Sequence, residues 1–343
     1  MIDKNNTFLK GIENLKATGS KKQLCIVTSA KIFLFYIYLC CFSKYRYASS
    51  DIFFVKGLSE AKKNNPADNC QKIYLRRFSN RPSELREKTS VVSLLTIRER
   101  FRIILHAIFS VPKGGNYLGR WLEFQILYEV FSKYNFKKIC SFGHYDEFTF
   151  WLSELCESKD VQHIMYQHGV VMKSIKIPNK IYCNVIHVYN KYSKMVFEKE
   201  IVKNINCMFY VDGFKTDIMF KNLSRNNMKK YVGVVDQTFP EWLNYVTDAI
   251  SSIDGIVSVV MLHPLTGSTS LETMDNIVVT REKYFNIDCL ISDYSTLILD
   301  YLSVGYKGKI VCTNKQVCEE VFSEYDIIYV SKEELRDVLP RLI

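Results

Sequence analysis

No CxxC pair occurs among the eleven cysteines of this 343-residue chain, and their spacing follows no period. Disulfide frameworks and zinc sites need such patterns, so neither is expected. Cys25, Cys140, Cys183, Cys207, Cys289 and Cys312 stand in or beside apolar strand-like runs. They read as reduced, buried thiols of a cytoplasmic protein. No GxGxxG follows the first strand candidate and no GxxxxGK[ST] occurs, which argues against a dehydrogenase and a P-loop nucleotidase. Asp-x-Asp and HExxH are also missing, so no metal site is expected. A transferase built from this sequence should hold its diphosphate without a divalent ion. Internal repeats, low-complexity tracts and an aromatic-plus-arginine nucleic-acid module are absent, and nucleic acid is not an expected partner.

What the chain does contain suits two domains of roughly 150 residues each. Hydrophobic residues make up 48% and charged residues 24%, enough to fill two cores. The net charge is +10. Its excess lies between Lys72 and Arg102, where Arg76, Arg77, Arg81, Arg86, Lys88, Arg98, Arg100 and Arg102 face Glu84, Glu87 and Glu99. Such a stretch is either a solvated helix face or a surface that meets a phosphate-bearing substrate, the anionic inner face of a cell membrane as a peripheral contact or, last in rank, nucleic acid. The apolar run from Leu24 to Phe42 is close to the roughly 20 residues of a membrane span. Thr28, Ser29 and Lys31 interrupt it, and it reads better as a βα unit: a strand "QLCIV", a turn "TSAK" and a helix from Ile32 to Tyr45. The alternative is a membrane anchor.

Short β-rich runs alternate with helical runs throughout, which predicts parallel sheets. Strands are expected near residues 24–28, 52–55, 72–75, 138–142, 163–166, 184–189 and 207–211. Helices are expected at 92–109, 118–134, 147–157 and 191–200. The polar stretch "KNLSRNNMKK" then separates residues 1–220, an acceptor-binding domain, from residues 231–343, a nucleotide-donor domain. The second half restarts the alternation with "YVGVV", "PEWLNYVTDAISSI" and "VSVVML", followed by "NIVVT", "IDCLI", "STLILDYLSV", "KIVCT" and "DIIYV". Gly305 should close a helix, and Ser331 with Glu334 forms a capping box. The expected fold class is α/β of GT-B type: two Rossmann-like, doubly wound domains facing each other across a cleft.

Ligands of open parallel sheets gather beyond the carboxyl ends of the strands. Three stretches fall there. In "VVMLHPLTGS", Pro264 forces an extended exit that aims the His263 ring out of the sheet edge. In "CLISDYSTLILD", an apolar strand runs into Ser292, Ser295, Thr296 and a helix N-terminus, a geometry that binds phosphate or merely caps the helix. The third pairs "SFGHYDEF" with "YQHGV". His144, Asp146 and Glu147 open a helix, whose dipole alone would account for the carboxylates. His168, between Gln167 and Gly169, has no such reason to be there.

"LHP" on a late strand, followed by "SDYST" before a helix, resembles the His-Pro and Ser-Ser/Thr motifs of bacterial sialyltransferases and polysialyltransferases. The resemblance implies a metal-independent GT-B glycosyltransferase of capsule or lipopolysaccharide synthesis, with no cofactor and a CMP-activated nonulosonic donor. That family carries an acidic-acidic-Gly motif where this chain has Gln167, His168 and Gly169. His-Gly there, with "SDYST" and Asp300, resembles the CDP-glycerol glycerophosphotransferases of teichoic-acid and capsule synthesis. The alternative activity is therefore a CDP-glycerol or CDP-ribitol polyol-phosphate transfer. In either case His168 would act as general base on an acceptor hydroxyl of a glycan or lipid-linked oligosaccharide. His263 would bond the leaving phosphate, and Ser292, Ser295 and Thr296 would neutralise its charge. Gln167, Gly169, His144 and Asp146 would support the acceptor side, and single displacement would invert the anomeric centre. Two rivals are a nucleotide-sugar epimerase of the same fold, using Asp212 or Asp146, and a non-catalytic scaffold.

Overall fold

The computed structural model of the chain describes residues 2–18, 26–55, 69–75, 83, 85, 88–112, 117–143, 146–174, 176–211, 220–223, 229–236, 240–262, 276–295 and 297–343. Residues group into two compact units. The first comprises 1–168, 173–188 and 194–211; the second comprises 169–172, 189–193 and 212–343.

The first unit contains α1 (Lys4–Thr18), α2 (Ile26–Phe42), β1 (Asp51–Val55), β2 (Gln71–Tyr74), a 3-10 turn (Val91–Leu94), α3 (Ile97–Phe109) and α4 (Leu118–Lys133). It continues with β3 (Lys138–Gly143), α5 (Glu147–Ser158), β4 (Gln162–Gln167), β5 (Val185–Val188), α6 (Lys191–Val196) and β6 (Met208–Val211), with α6 straddling the division between units. The strands form one sheet in the order β2-β1-β3-β4-β5-β6, and every pair in it is parallel. A parallel sheet is covered on both faces, so its central strands need continuous apolar runs. β1 meets that need: Ile52, Phe53, Phe54 and Val55 are all buried.

The second unit contains β7 (Lys230–Val235), α7 (Pro240–Ser251), β8 (Ile256–Met261), β9 (Ile277–Thr280), β10 (Cys289–Ser292), α8 (Leu297–Ser303), β11 (Lys309–Cys312), α9 (Lys315–Glu320), β12 (Ile328–Tyr329) and α10 (Leu335–Leu342). Its sheet order is β12-β11-β10-β7-β8-β9, again parallel. Counted within the unit this is 3-2-1-4-5-6, the Rossmann order. Gly305, at φ +73°, closes α8 as expected. The Ser331–Glu334 capping box is formed. Both halves are thus doubly wound α/β units.

Three expectations are corrected. Residues 26–28 are not a strand, because the helix of the supposed βα unit starts at Ile26 and runs unbroken to Phe42. The reason is the packing of α2 on α4. The Ser29 hydroxyl accepts the Gly119 N–H at 3.1 Å, and a Cβ at Gly119 would lie 2.1 Å from the Ser29 carbonyl. Only a helix meeting a glycine fits that approach, and it overrides the β preference of Ile26 and Val27. Leu24 and Cys25 lie outside the described residues. No helix among the described residues is long and apolar enough to cross a membrane.

The expected helix over 92–109 is broken at Leu95 and Thr96. Thr96 accepts the Glu99 N–H while its own N–H donates to Glu99 Oε2 at 2.6 Å, a capping box that starts α3 afresh. Finally, Arg100 does not belong to a basic surface. It is buried, and its guanidinium donates to four backbone carbonyls. Helix α1 also had no counterpart in the sequence reading. Phe8 anchors it, lying edge-on to Trp121 at 5.0 Å and stacked on Trp151 at 5.4 Å.

Candidate functional site

In the first unit the strand order reverses between β1 and β3, so ligand space is expected past their carboxyl ends. β4 lies next to β3, with Gln167 in register with Gly143. The His168 N–H donates to the Gly143 carbonyl at 3.2 Å. "SFG" and "YQHG" are therefore neighbours at one sheet edge. Gln167 is buried, His168 is exposed, and Gly169 turns the chain at φ +85°, a conformation that strains any residue with a Cβ. The turn explains the glycine; it leaves the imidazole facing water at the strand end. A Cβ on Gly143 would sit 2.3 Å from Thr149 Oγ1, so the start of α5 closes directly on this edge.

Asp146 is the N-cap of α5, its Oδ1 accepting the Thr149 N–H at 2.7 Å. Glu147 is buried and paired with Arg120. The two carboxylates thus have structural partners. His144 lies outside the described residues. His163, the other histidine of the β4 stretch, is buried within the sheet. It has Nδ1 3.1 Å from the Tyr182 carbonyl and Nε2 3.1 Å from Ser141 Oγ. A carbonyl only accepts, so Nδ1 carries the proton and Nε2 receives the serine hydroxyl.

One feature escaped the sequence reading. Phe142, Tyr166, His187 and Tyr210 share a register row across β3, β4, β5 and β6. Successive ring centroids are 5.5, 4.7 and 5.2 Å apart. The row opens toward water at the β6 edge, where Tyr210 is exposed. Its signal is an aromatic ring next to the carboxyl end of four consecutive strands, legible only once the register is known.

In the second unit the order reverses between β7 and β10. Asp236, buried, follows β7, and its N–H donates to the Met261 carbonyl. Ser292 ends β10. Its Oγ accepts the Ser295 N–H at 3.1 Å, and Ser295 Oγ accepts the Leu297 N–H at 3.2 Å. The two hydroxyls therefore tie the turn that starts α8. Trp242 Nε1 donates to Thr313 Oγ1, and that hydroxyl donates to Asp293 Oδ1, both at 3.0 Å. These three residues line a pocket of about 420 Å³ with Asn314, Lys315, Tyr329 and Lys332. The pocket combines aromatic faces with two ammonium groups, Lys315 paired with Glu319 and Lys332 with Glu333, and with the Asp293 and Glu333 carboxylates, at the carboxyl ends of β10, β11 and β12. Ligand pockets run from about 300 to 1,000 Å³. The sequence reading did not name these residues, whose loops are short and carry no motif.

Asp300 is also buried in this unit, and its Oδ2 accepts the Tyr284 hydroxyl at 3.0 Å. Burial first, and the Asp300 charge second, push the Tyr284 and Tyr189 phenols above their ordinary value of 10. Both phenols stay protonated beside that carboxylate. His263, Pro264, Thr296 and Asp212 lie outside the described residues.

No family model matches the chain, and no curated protein matches it. Solved structures do resemble it. A UDP-GlcNAc 2-epimerase of Methanocaldococcus jannaschii, in complex with UDP-GlcNAc and UDP, aligns with a TM-score of 0.45 at 11% identity, covering 70% of this chain and 80% of that one. The glycotransferase of kitacinnamycin aligns at 0.47 and 9%, covering 80% and 84%. The spinosyn rhamnosyltransferase SpnG aligns at 0.42 and 9%, covering 71% and 70%. At such identity and score the likeness assigns neither substrate nor reaction, and the description as two Rossmann-like units stands on the strand orders themselves.

Proposed function

We propose that the protein is a glycosyltransferase that moves a sugar from a nucleotide-activated donor to a glycan hydroxyl. The observation that carries this reading is the pocket at the carboxyl edge of the second sheet. It lies beside the β7/β10 switch point, where parallel sheets bind nucleotides. Trp242 and Tyr329 offer faces for a base, and Lys315 and Lys332 suit phosphate. Ser292 and Ser295 belong to the same edge.

The finer reading is a metal-independent, inverting transfer of a nonulosonic sugar from a CMP-linked donor, for capsule or lipopolysaccharide. It rests on the "LHP" and "SDYST" motifs. His168 takes the proton of the acceptor hydroxyl as its oxygen attacks the anomeric carbon. The bond from that carbon to the phosphate oxygen breaks, and CMP leaves with the electron pair. His263 bonds the phosphate. A second reading, polyol-phosphate transfer from CDP-glycerol or CDP-ribitol, is favoured by the exposed His168 on a turn that only glycine makes easily.

A thermal-shift panel of CMP, CDP, UDP and GDP, with and without EDTA, tests both. A ligand at 100 times its Kd adds about 2.7 kcal/mol. CMP or CDP should raise the melting temperature most, and EDTA should not change the shift. Equal shifts for all four nucleotides, or none for the cytidine forms, would refute the donor assignment.

A further inference from the structure

Helix α3 is apolar on two sides. Ile103, Ile104 and Ala107 are buried inward. Ile97, Phe101, Leu105, Ile108 and Phe109 form a second row, spaced by four, four, three and one residues, and are 45–85% exposed. A water-facing helix row ordinarily carries polar side chains. Here the polar side chains occupy the adjoining row instead, as Arg98, Arg102 and His106, all exposed. The neighbouring helix α2 repeats the pattern. It buries Ile32, Phe35, Tyr36 and Leu39, and it exposes Val27, Leu34 and Phe42 together with Lys31. Beyond its end, Tyr45 and Tyr47 are exposed with their rings edge-on at 5.1 Å.

We propose that the outward faces of α2 and α3 dock on an anionic lipid bilayer. An interfacial helix presents one apolar row to the acyl boundary and basic groups to the headgroups, with aromatic side chains at that level. The charges distinguish this partner from a second copy of the chain. Exposed cations here are Lys31, Lys44 and Arg98, with Arg102 already paired to Glu129. The neighbouring carboxylates are already engaged: Glu99 pairs with Lys133 and Glu129 with Arg102. Two copies meeting through this face would bring like charges together, whereas anionic headgroups neutralise them. The docking face is narrower than the basic stretch between Lys72 and Arg102, since Arg100 is buried and Arg76, Arg77, Arg81 and Arg86 lie outside the described residues. The inference is independent of the transferase reading.

The test is co-sedimentation of the full chain with vesicles of phosphatidylcholine alone or mixed with phosphatidylglycerol. Wild type should pellet with the mixed vesicles and little with phosphatidylcholine. Binding should weaken as salt shortens the Debye length from about 10 Å at 0.1 M to about 3 Å at 1 M. The double substitution Phe101→Glu and Leu105→Glu should lower partition at least tenfold with the melting temperature unchanged. Arg98→Gln, at a fully solvated position, should lower it roughly fivefold and serves if the double variant fails to fold. Mixed vesicles should also slow alkylation of the exposed Cys41. Unchanged partition in folded variants would overturn the proposal. So would absence of vesicle binding by wild type, or a dimer in sedimentation that the same substitutions dissolve while vesicles do not compete.

Discussion

Replacing Arg100 with Met should destabilise the first unit by about 1–3 kcal/mol, the range for leaving buried acceptors without their donor. Arg100 Nε donates to the carbonyls of Val92 at 3.1 Å and Leu95 at 2.8 Å. Its Nη1 donates to those of Cys40 at 3.2 Å and Ser43 at 2.5 Å. The first pair lies in the 3-10 turn and the segment that follows it. The second pair lies at the end of α2, where the last carbonyls have no donor within the helix. One side chain thus joins three pieces of chain. Each hydrogen bond to a charged group is worth about 1.5–3 kcal/mol, but the sum is offset by the cost of burying the cation. Methionine keeps the apolar stem and removes the donor, leaving the Val92 carbonyl with the Leu95 N–H it already accepts. For a unit of this size, each kcal/mol moves the melting temperature by roughly 2–4 °C, so a fall of roughly 2–12 °C is expected. Tryptophan fluorescence follows it, through Trp121 and Trp151 in this unit. Arg98→Met, at an exposed position two residues earlier in α3, is the control and should stay within about 0.5 kcal/mol. If Arg100→Met melts with that control, the clamp holds nothing and the arginine is replaceable packing.

Two further outcomes are expected. His168→Ala should lower turnover roughly 10²–10⁴-fold while leaving the nucleotide-induced thermal shift intact, because the proposed reading assigns the residue to the acceptor; a lost thermal shift with normal turnover would contradict that role. Glu99→Gln should flatten the acid limb of the stability curve. Burial alone would raise the Glu99 carboxyl, but Lys133 and Thr96 outweigh it and hold it below its ordinary 4.5. A depressed carboxyl stabilises the fold above about pH 4.5 and loses that contribution as the pH falls further. Wild type should therefore exceed the variant at pH 7 and converge with it in acid, as read by urea midpoints across pH; parallel curves would refute the assignment.

The alternation of β-rich and helical runs made the two sheets legible, because buried parallel strands carry uninterrupted apolar runs that few other structures need. "DIFFV", "YVGVV" and "IVSVVM" are such runs, and each is a strand. Ile26 and Val27 are equally apolar and β-branched and lead a helix, since a glycine ninety residues after Ser29 admits close helix packing there. No local pattern encodes that distant partner. The "TIRE" capping box was visible in the sequence, but the apolar residues on both sides masked it. Charge misled for a related reason. Arg100 sits among surface arginines, and only the four carbonyls around it separate it from them.

The candidate site shows the same division between what a strand end reveals and what a register reveals. The strand end at Gln167 and the turn at Gly169 were legible as a run of strand character stopping at a glycine. The aromatic row was not. Tyr166, His187 and Tyr210 each look like ordinary strand residues, and the row exists only because β4, β5 and β6 pair in one particular register. A shift of one residue would send every ring to the other face. The pocket of the second unit depends likewise on strand order. Trp242, Asp293, Thr313 and Tyr329 are spread over some ninety residues of sequence, and they meet because β10, β11 and β12 are neighbours and α7 starts beside them. Motifs mark single strand ends; a ligand-sized cavity requires several of them side by side. That is why the aromatic and lysine residues lining the pocket became visible only in the folded chain.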